Sequence, residues 1–192
     1  MDLSRPVARV FLRLAAIPVA IFLFVLIPVL KDCIAKVRTP CAKMVEEDEV
    51  QQLTGIRVNE VSVVDRDDYC NADHWDYFRR RLMMVAVQKN GTGTYGASFA
   101  SQLQSLKLGR GVVATEPLEG LGADAALVEI RGDSHLQVLL VDRPAQQGFV
   151  EIYLYLDSYK SAFTRDDAKK LVPLLKPRLA LADEYLATRK VR

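Results

Sequence analysis

Residues 149–156 read FVEIYLYL, in which aliphatic side chains alternate with polar or aromatic ones. Successive side chains of an extended strand point to opposite faces, so Val150, Ile152, Leu154 and Leu156 lie on the same face. A strand with one apolar and one polar face is typical of an antiparallel sheet that is covered on one side. This stretch therefore predicts that the chain folds around an antiparallel sheet.

Further strands and helices are predicted on both sides of this strand. The predicted strands are 57–64, 70–73, 82–87, 126–130 and 136–141, and the predicted helices are 46–53 and 97–108. A C-terminal helix capped by Thr164 carries one apolar stripe, and Pro173 and Pro177 should kink it. The order helix, strands, helix, strands, helix predicts an α+β domain with helices packed on the sheet.

The apolar residues near the N-terminus form one long run. Residues 10–30 read VFLRLAAIPVAIFLFVLIPVL and contain one charge, Arg13. A helix of this length spans about 30 Å, the hydrocarbon thickness of a bilayer. We therefore expect an uncleaved transmembrane helix at 10–30; the alternative is a cleaved signal peptide, with Cys33-Ile34-Ala35 as a weak site. The expected organisation is a cytoplasmic tail at 1–9, this helix, a linker at 31–39 and an extracytoplasmic α+β domain at 40–192, in a bacterial inner membrane.

Charge and motifs argue against nucleic acid, nucleotide and metal as ligands. The chain has 26 basic and 24 acidic residues and a net charge of +2, too small for a nucleic-acid footprint. Residues 90–96, NGTGTYG, match a dinucleotide-binding fingerprint, but hairpins follow where βαβ units are required, so we interpret them as a turn without NAD. His74 and His135 lack the partners of a four-ligand zinc site and are expected to be structural. We expect no cofactor, no metal and no catalytic residue.

Two of the three cysteines, Cys41 and Cys70, lie in the folded part of the chain. An even pair in a small domain outside the cytoplasm indicates a disulfide, and two unrelated buried thiols are the alternative. Cys33 is left over, either free or paired with another chain.

Four aromatic residues are candidates for a partner or ligand surface: Trp75, Tyr77, Tyr153 and Tyr155. Aromatic side chains of this kind line ligand clefts and protein interfaces. The alternative is that they are ordinary aromatics on the surface of the sheet. The short basic run Arg79-Arg80-Arg81 is interpreted as a solvated face or the end of an element.

Short motifs follow one another in a characteristic order over residues 39–192. They are Thr39-Pro40-Cys41, Leu53-Thr54-Gly55, Cys70, the apolar strand at 82–87, a mid-chain helix and the turn LEGLGADA at 118–125. In this order they resemble the LpqN-type family of bacterial cell-envelope lipoproteins, which has a PsbP-like α+β fold. The resemblance implies a Cys41–Cys70 disulfide and an extracytoplasmic location, and it carries over no catalytic residue. The chain departs from the family where the predicted helix at 10–30 replaces a lipidated cysteine.

These observations predict a non-enzymatic, membrane-anchored accessory or structural subunit of a larger membrane protein complex. PsbP itself is an accessory protein of a photosynthetic complex. The expected partners are membrane-embedded subunits, and the bilayer through residues 10–30. The alternative function is an envelope ligand-binding or sensing domain that holds a small apolar molecule between sheet and helix. An enzyme is a third hypothesis, against which the lack of a catalytic motif counts.

Overall fold

A computed structural model describes residues 39–91, 98–109, 111–121, 124–131, 135–156 and 165–189. These residues form a seven-stranded sheet in the order β1-β2-β3-β7-β6-β5-β4, and all neighbouring strands are antiparallel. The strands are β1 (Glu60–Asp65), β2 (Tyr69–Trp75), β3 (Arg81–Lys89), β4 (Val112–Pro117), β5 (Ala125–Arg131), β6 (His135–Arg143) and β7 (Gly148–Leu156). The predicted antiparallel sheet is confirmed, and the quoted stretch forms a central strand between β3 and β6.

The helices are short. They are α1 (Pro40–Met44), α2 (Glu47–Thr54), α3 (Phe99–Leu108), α4 (Arg165–Lys169), α5 (Leu171–Leu175) and α6 (Leu179–Thr188), with 3-10 turns at Pro144–Gln146 and Lys176–Arg178. Helix α2 ends where Gly55 adopts a left-handed conformation with φ of 68°, as its sequence predicts. The C-terminal helix is divided as predicted, because Pro177 lies in a 3-10 turn between α5 and α6. The predicted cap Thr164 lies outside the described residues.

One face of the sheet carries the main core. Val150, Ile152 and Leu154 are fully buried there, which confirms the alternation in β7. The apolar stripe of the C-terminal helices packs against them, with Leu171, Leu175, Leu186 and other members buried. At roughly 1.5–3 kcal/mol for each fully buried aliphatic side chain, this layer is the main source of stability.

The opposite face is partly covered as well, which the alternation at 149–156 did not predict. Helix α3 packs on β4, β5 and β6. Beneath it lies a second apolar cluster of Val128, Val138, Leu140 and Phe149. The prediction of a single covered face is therefore wrong for this half of the sheet.

A disulfide joins α1 to the beginning of β2. Cys41 and Cys70 are bonded, with 6.2 Å between their Cα atoms, and both are fully buried. The predicted pair is confirmed, and the alternative of two separate thiols is wrong. The third cysteine, Cys33, lies outside the described residues.

The predicted fold class needs correction where it includes a transmembrane helix. No helix among the described residues is both long and apolar enough to cross a membrane. The longest, α3 and α6, have 10 residues and extend about 15 Å. The predicted fold class, which placed a transmembrane helix before the sheet, is therefore corrected to a seven-stranded antiparallel sheet with helices. The predicted helix at 10–30 lies outside the described residues, as do the tail and most of the linker.

Two elements were missed in the sequence. Helix α1 has only 5 residues, too few for a periodic pattern. Strand β4, with sequence VVATEP, contains a proline, which weakens the strand signal in the sequence. The predicted strand at 70–73 is longer, from Tyr69 to Trp75.

Candidate functional site

A groove lies on the second face of the sheet, over β2, β3 and β7. Its volume is about 310 Å³, at the small end of the range of ligand clefts, roughly 300–1,000 Å³. Aromatic, amide and charged side chains line it: Tyr69, Asn71, Arg81, Met84, Ala86, Gln88, Glu151, Tyr153 and Tyr155. We call this site the aromatic groove.

Arg81 is held at one end of the aromatic groove by two aromatic rings. Its guanidinium carbon lies 4.8 Å from the ring centroid of Trp75 and 5.3 Å from that of Tyr155. Nη1 donates a hydrogen bond of 3.1 Å to the Tyr155 hydroxyl, and Nε lies 3.0 Å from Oδ1 of Asp73. A planar guanidinium stacks on aromatic rings and presents its donors in a fixed fork, so it suits this site better than the point charge of a lysine ammonium.

The sheet register brings these groups together. Trp75 pairs with Arg81 across β2 and β3, after an irregularity between His74 and Trp75. Asp73 is buried beside them, and this burial raises the pKa of its carboxyl, although the charge of Arg81 acts in the opposite direction. The arginine is therefore fixed in orientation before any partner arrives.

Glu151 is the centre of a buried polar network on the wall of the aromatic groove. It is 4% exposed and accepts hydrogen bonds from Gln88 Nε2 at 3.1 Å, Gln102 Nε2 at 2.6 Å and the Tyr153 hydroxyl at 2.6 Å. Burial raises the pKa of the Glu151 carboxyl, although all three hydrogen bonds lower it. Because Gln102 belongs to α3, this network also fixes the helix that borders the groove.

Asn71, which lines the aromatic groove, has an unsatisfied acceptor. Oδ1 of Asn71 is buried and has no hydrogen-bond partner within the described part of the chain. Buried polar atoms are nearly always paired in folded proteins, and an exception needs an explanation.

Three of the four predicted surface residues are neighbours in the structure. Trp75 and Tyr155 both contact Arg81, and the rings of Tyr153 and Tyr155 are stacked with centroids 6.2 Å apart and planes 24° apart. Tyr77 is separate, on the turn between β2 and β3, where its ring contacts Phe78 edge to face.

The sequence reasoning missed several residues of this site: Asn71, Asp73, Arg81 and Gln102. Glu151 could have been found, since the alternation in β7 places it on the same face as Tyr153 and Tyr155. Arg81 could not, because its position beside both Trp75 and Tyr155 depends on the pairing of three strands.

Neither histidine lines the aromatic groove. His74 is buried on the core face of β2, where it pairs with Val61 and Met83. His135 is the first residue of β6. Among the residues that the structure describes, no cluster of three His, Cys, Asp or Glu side chains could hold a metal ion. Most of the NGTGTYG loop, residues 92–96, lies outside the described residues.

Comparison of the chain with protein-family models and with curated proteins finds no match. The resemblance to the LpqN-type family and its PsbP-like fold therefore stays a prediction.

Proposed function

We propose that this chain is a non-enzymatic accessory subunit of a larger membrane protein complex, and that its sheet domain binds the partner outside the cytoplasm. The observation that carries the proposal is the aromatic groove, with its fixed Arg81 and its aromatic rings. Tyr, Trp and Arg are the residues enriched at protein interfaces and at their energetic centres.

The compartment is supported by the disulfide. Cys41–Cys70 is fully buried and ties α1 to the core. Structural disulfides of this kind form in oxidising compartments and are rare in the cytosol.

The state of the polar groups supports binding rather than catalysis. A general base needs a lone pair directed at the substrate. Glu151 instead receives three donors from the protein itself, and Asp73 lies against Arg81. These contacts position the walls of the groove.

The alternative function, storage or sensing of a small apolar molecule between sheet and helix, receives less support. The layer between the C-terminal helices and the sheet is filled with fully buried side chains, such as Leu171, Leu175 and Ile152. The groove on the other face is lined in part by charged and amide side chains, such as Arg81, Gln88 and Glu151, and so offers an apolar molecule little apolar surface.

A native gel of gently solubilised membranes tests the proposal. The tagged full-length chain should migrate in a complex larger than itself. A photo-crosslinking phenylalanine derivative at Tyr155, an aromatic-for-aromatic exchange, should give a discrete adduct with a subunit of that complex. The control is the same residue at Glu184, exposed on α6 at the opposite face, which should give no such adduct. A wild-type chain that migrates only as a free monomer would contradict the proposal.

A further inference from the structure

The turn between β2 and β3 presents two aromatic side chains to solvent. Tyr77 is 79% exposed and Phe78 is 74% exposed, and their ring centroids are 5.5 Å apart in an edge-to-face contact. Leaving two adjacent aromatic side chains in water forgoes a large amount of hydrophobic stabilisation. We call residues 76–80, which carry them, the hairpin tip.

The hairpin tip is held in one conformation by the protein. Asp76, which is 2% exposed, accepts hydrogen bonds from the backbone N–H of Arg80 at 2.8 Å and from its Nε at 2.7 Å. The backbone N–H of Asp76 donates to the Arg80 carbonyl at 3.0 Å, and Arg79 adopts a positive φ of 58°. A loop that is already ordered loses little entropy when it docks, so its aromatic side chains can contribute more fully to affinity.

The charges at the hairpin tip favour a protein over a lipid surface. Arg80 is paired with Asp76 and Arg81 with Asp73. Among the residues that the structure describes, Arg79 has no acidic partner at the tip. Anionic membranes recruit proteins through clusters of roughly 4–8 basic residues. A single uncompensated arginine beside two aromatic rings instead has the composition of an interface anchor.

The hairpin tip is continuous with the aromatic groove. Trp75 and Arg81, the pair that begins the hairpin, also form the end of the groove beside Tyr155. The hairpin tip and the aromatic groove can therefore form a single interface, in which the tip protrudes and the groove is the flatter part.

We propose that the hairpin tip inserts Tyr77 and Phe78 into an apolar pocket of the partner protein, and that a carboxylate at the rim of this pocket pairs with Arg79. This inference rests on the proposed function and specifies the chemistry of the partner surface. The aromatic groove provides the rest of the interface around this anchor.

The test uses the full-length chain in its own membranes, with Tyr77→Ser and Phe78→Ser combined. Loss of an anchor at the energetic centre of an interface should weaken the complex at least roughly 30-fold, so the complex should disappear from the native gel. Leu108→Ser is the matched control, because Leu108 is 78% exposed at the end of α3 and lies outside the tip. Since the replaced side chains are exposed, both variants should keep the unfolding temperature of the wild type.

The charge of the rim is tested at Arg79. Arg79→Glu should weaken the complex and Arg79→Lys should largely preserve it, and increasing salt should weaken the wild-type complex more than the Arg79→Glu complex. Equal behaviour of these variants would overturn the carboxylate rim.

Failure of the tip inference can be distinguished from failure of the proposed function. If the wild type forms the complex and the double variant forms it equally well, the tip inference is overturned and the proposed function stands. A monomeric wild type overturns both. If the double variant keeps the complex, and brominated lipids in phosphatidylglycerol–phosphatidylcholine vesicles quench Trp75 of the wild type but not of the double variant, the tip binds a bilayer and the protein pocket is overturned.

Discussion

Replacing Cys41 and Cys70 with alanine should lower the free energy of unfolding by about 3.6 kcal/mol. The bond closes a loop with a sequence separation of 29 residues. For a loop of this size the chain-entropy relation gives about 12 cal/mol/K, which is about 3.6 kcal/mol at 25 °C. At about 2–4 °C per kcal/mol for a domain of this size, the unfolding temperature should fall by about 7–14 °C.

Urea unfolding followed by circular dichroism measures this effect. Alanine also removes two sulfur atoms from fully buried sites, which adds a cavity term. The reduced wild type, which keeps both sulfur atoms, therefore isolates the contribution of the closed loop. Cys33→Ser is the matched control, because it leaves the Cys41–Cys70 bond intact. If oxidised and reduced wild-type chains unfold at the same urea concentration, the loop-closure argument is refuted.

Three further outcomes are expected. Glu151→Gln should become more stable relative to wild type as pH rises, because burial raises the folded pKa of Glu151. The stability that the protonated carboxyl contributes to the wild type is fully present below its unfolded pKa near 4.5. This stability is lost as pH rises through the folded pKa. Urea titrations from about pH 4 to 8 check this, and a constant difference between the two chains would refute it. Arg178→Met breaks a two-point ion pair with Glu49, at 2.5 and 2.8 Å, and should cost about 1–3 kcal/mol at neutral pH, between the values for exposed and buried pairs. Burial acts to raise the pKa of Glu49, but its hydrogen bonds and the charge of Arg178 outweigh burial and lower it. The stability lost in Arg178→Met should therefore be smaller in acid, where Glu49 becomes protonated and the ion pair is absent. Urea midpoints of both chains, measured at neutral and at acidic pH, check this. Gly148→Ala should cost about 1–3 kcal/mol by calorimetry, since its Cβ would lie 2.7 Å from the Gln88 carbonyl oxygen; an unchanged unfolding temperature would show that the strands can separate there.

Part of the candidate site was readable in the sequence. The alternation in β7 places Glu151, Tyr153 and Tyr155 on one face, opposite Val150 and Ile152. That inference needs only the two-residue period of a strand. It holds because the period is a local property of the extended backbone.

The burial of that face could not be predicted from the sequence. An alternating strand predicts a solvent-exposed polar face, yet Glu151 is 4% exposed because α3 and Gln102 cover it. Whether a helix distant in sequence packs on a given half of a sheet depends on the path of the chain. No local pattern in the sequence of β7 indicates whether α3 packs on it.

The sequence by itself determined the antiparallel sheet, the apolar stripe of the C-terminal helices and the residue types that a disulfide needs. Each follows from local periodicity or from the chemistry of single side chains. Only the tertiary structure decided that Arg81 lies between Trp75 and Tyr155, and that Asn71 has a buried acceptor without a donor. These contacts join residues far apart in the chain, and they exist only once strand order and register have placed β2, β3 and β7 side by side.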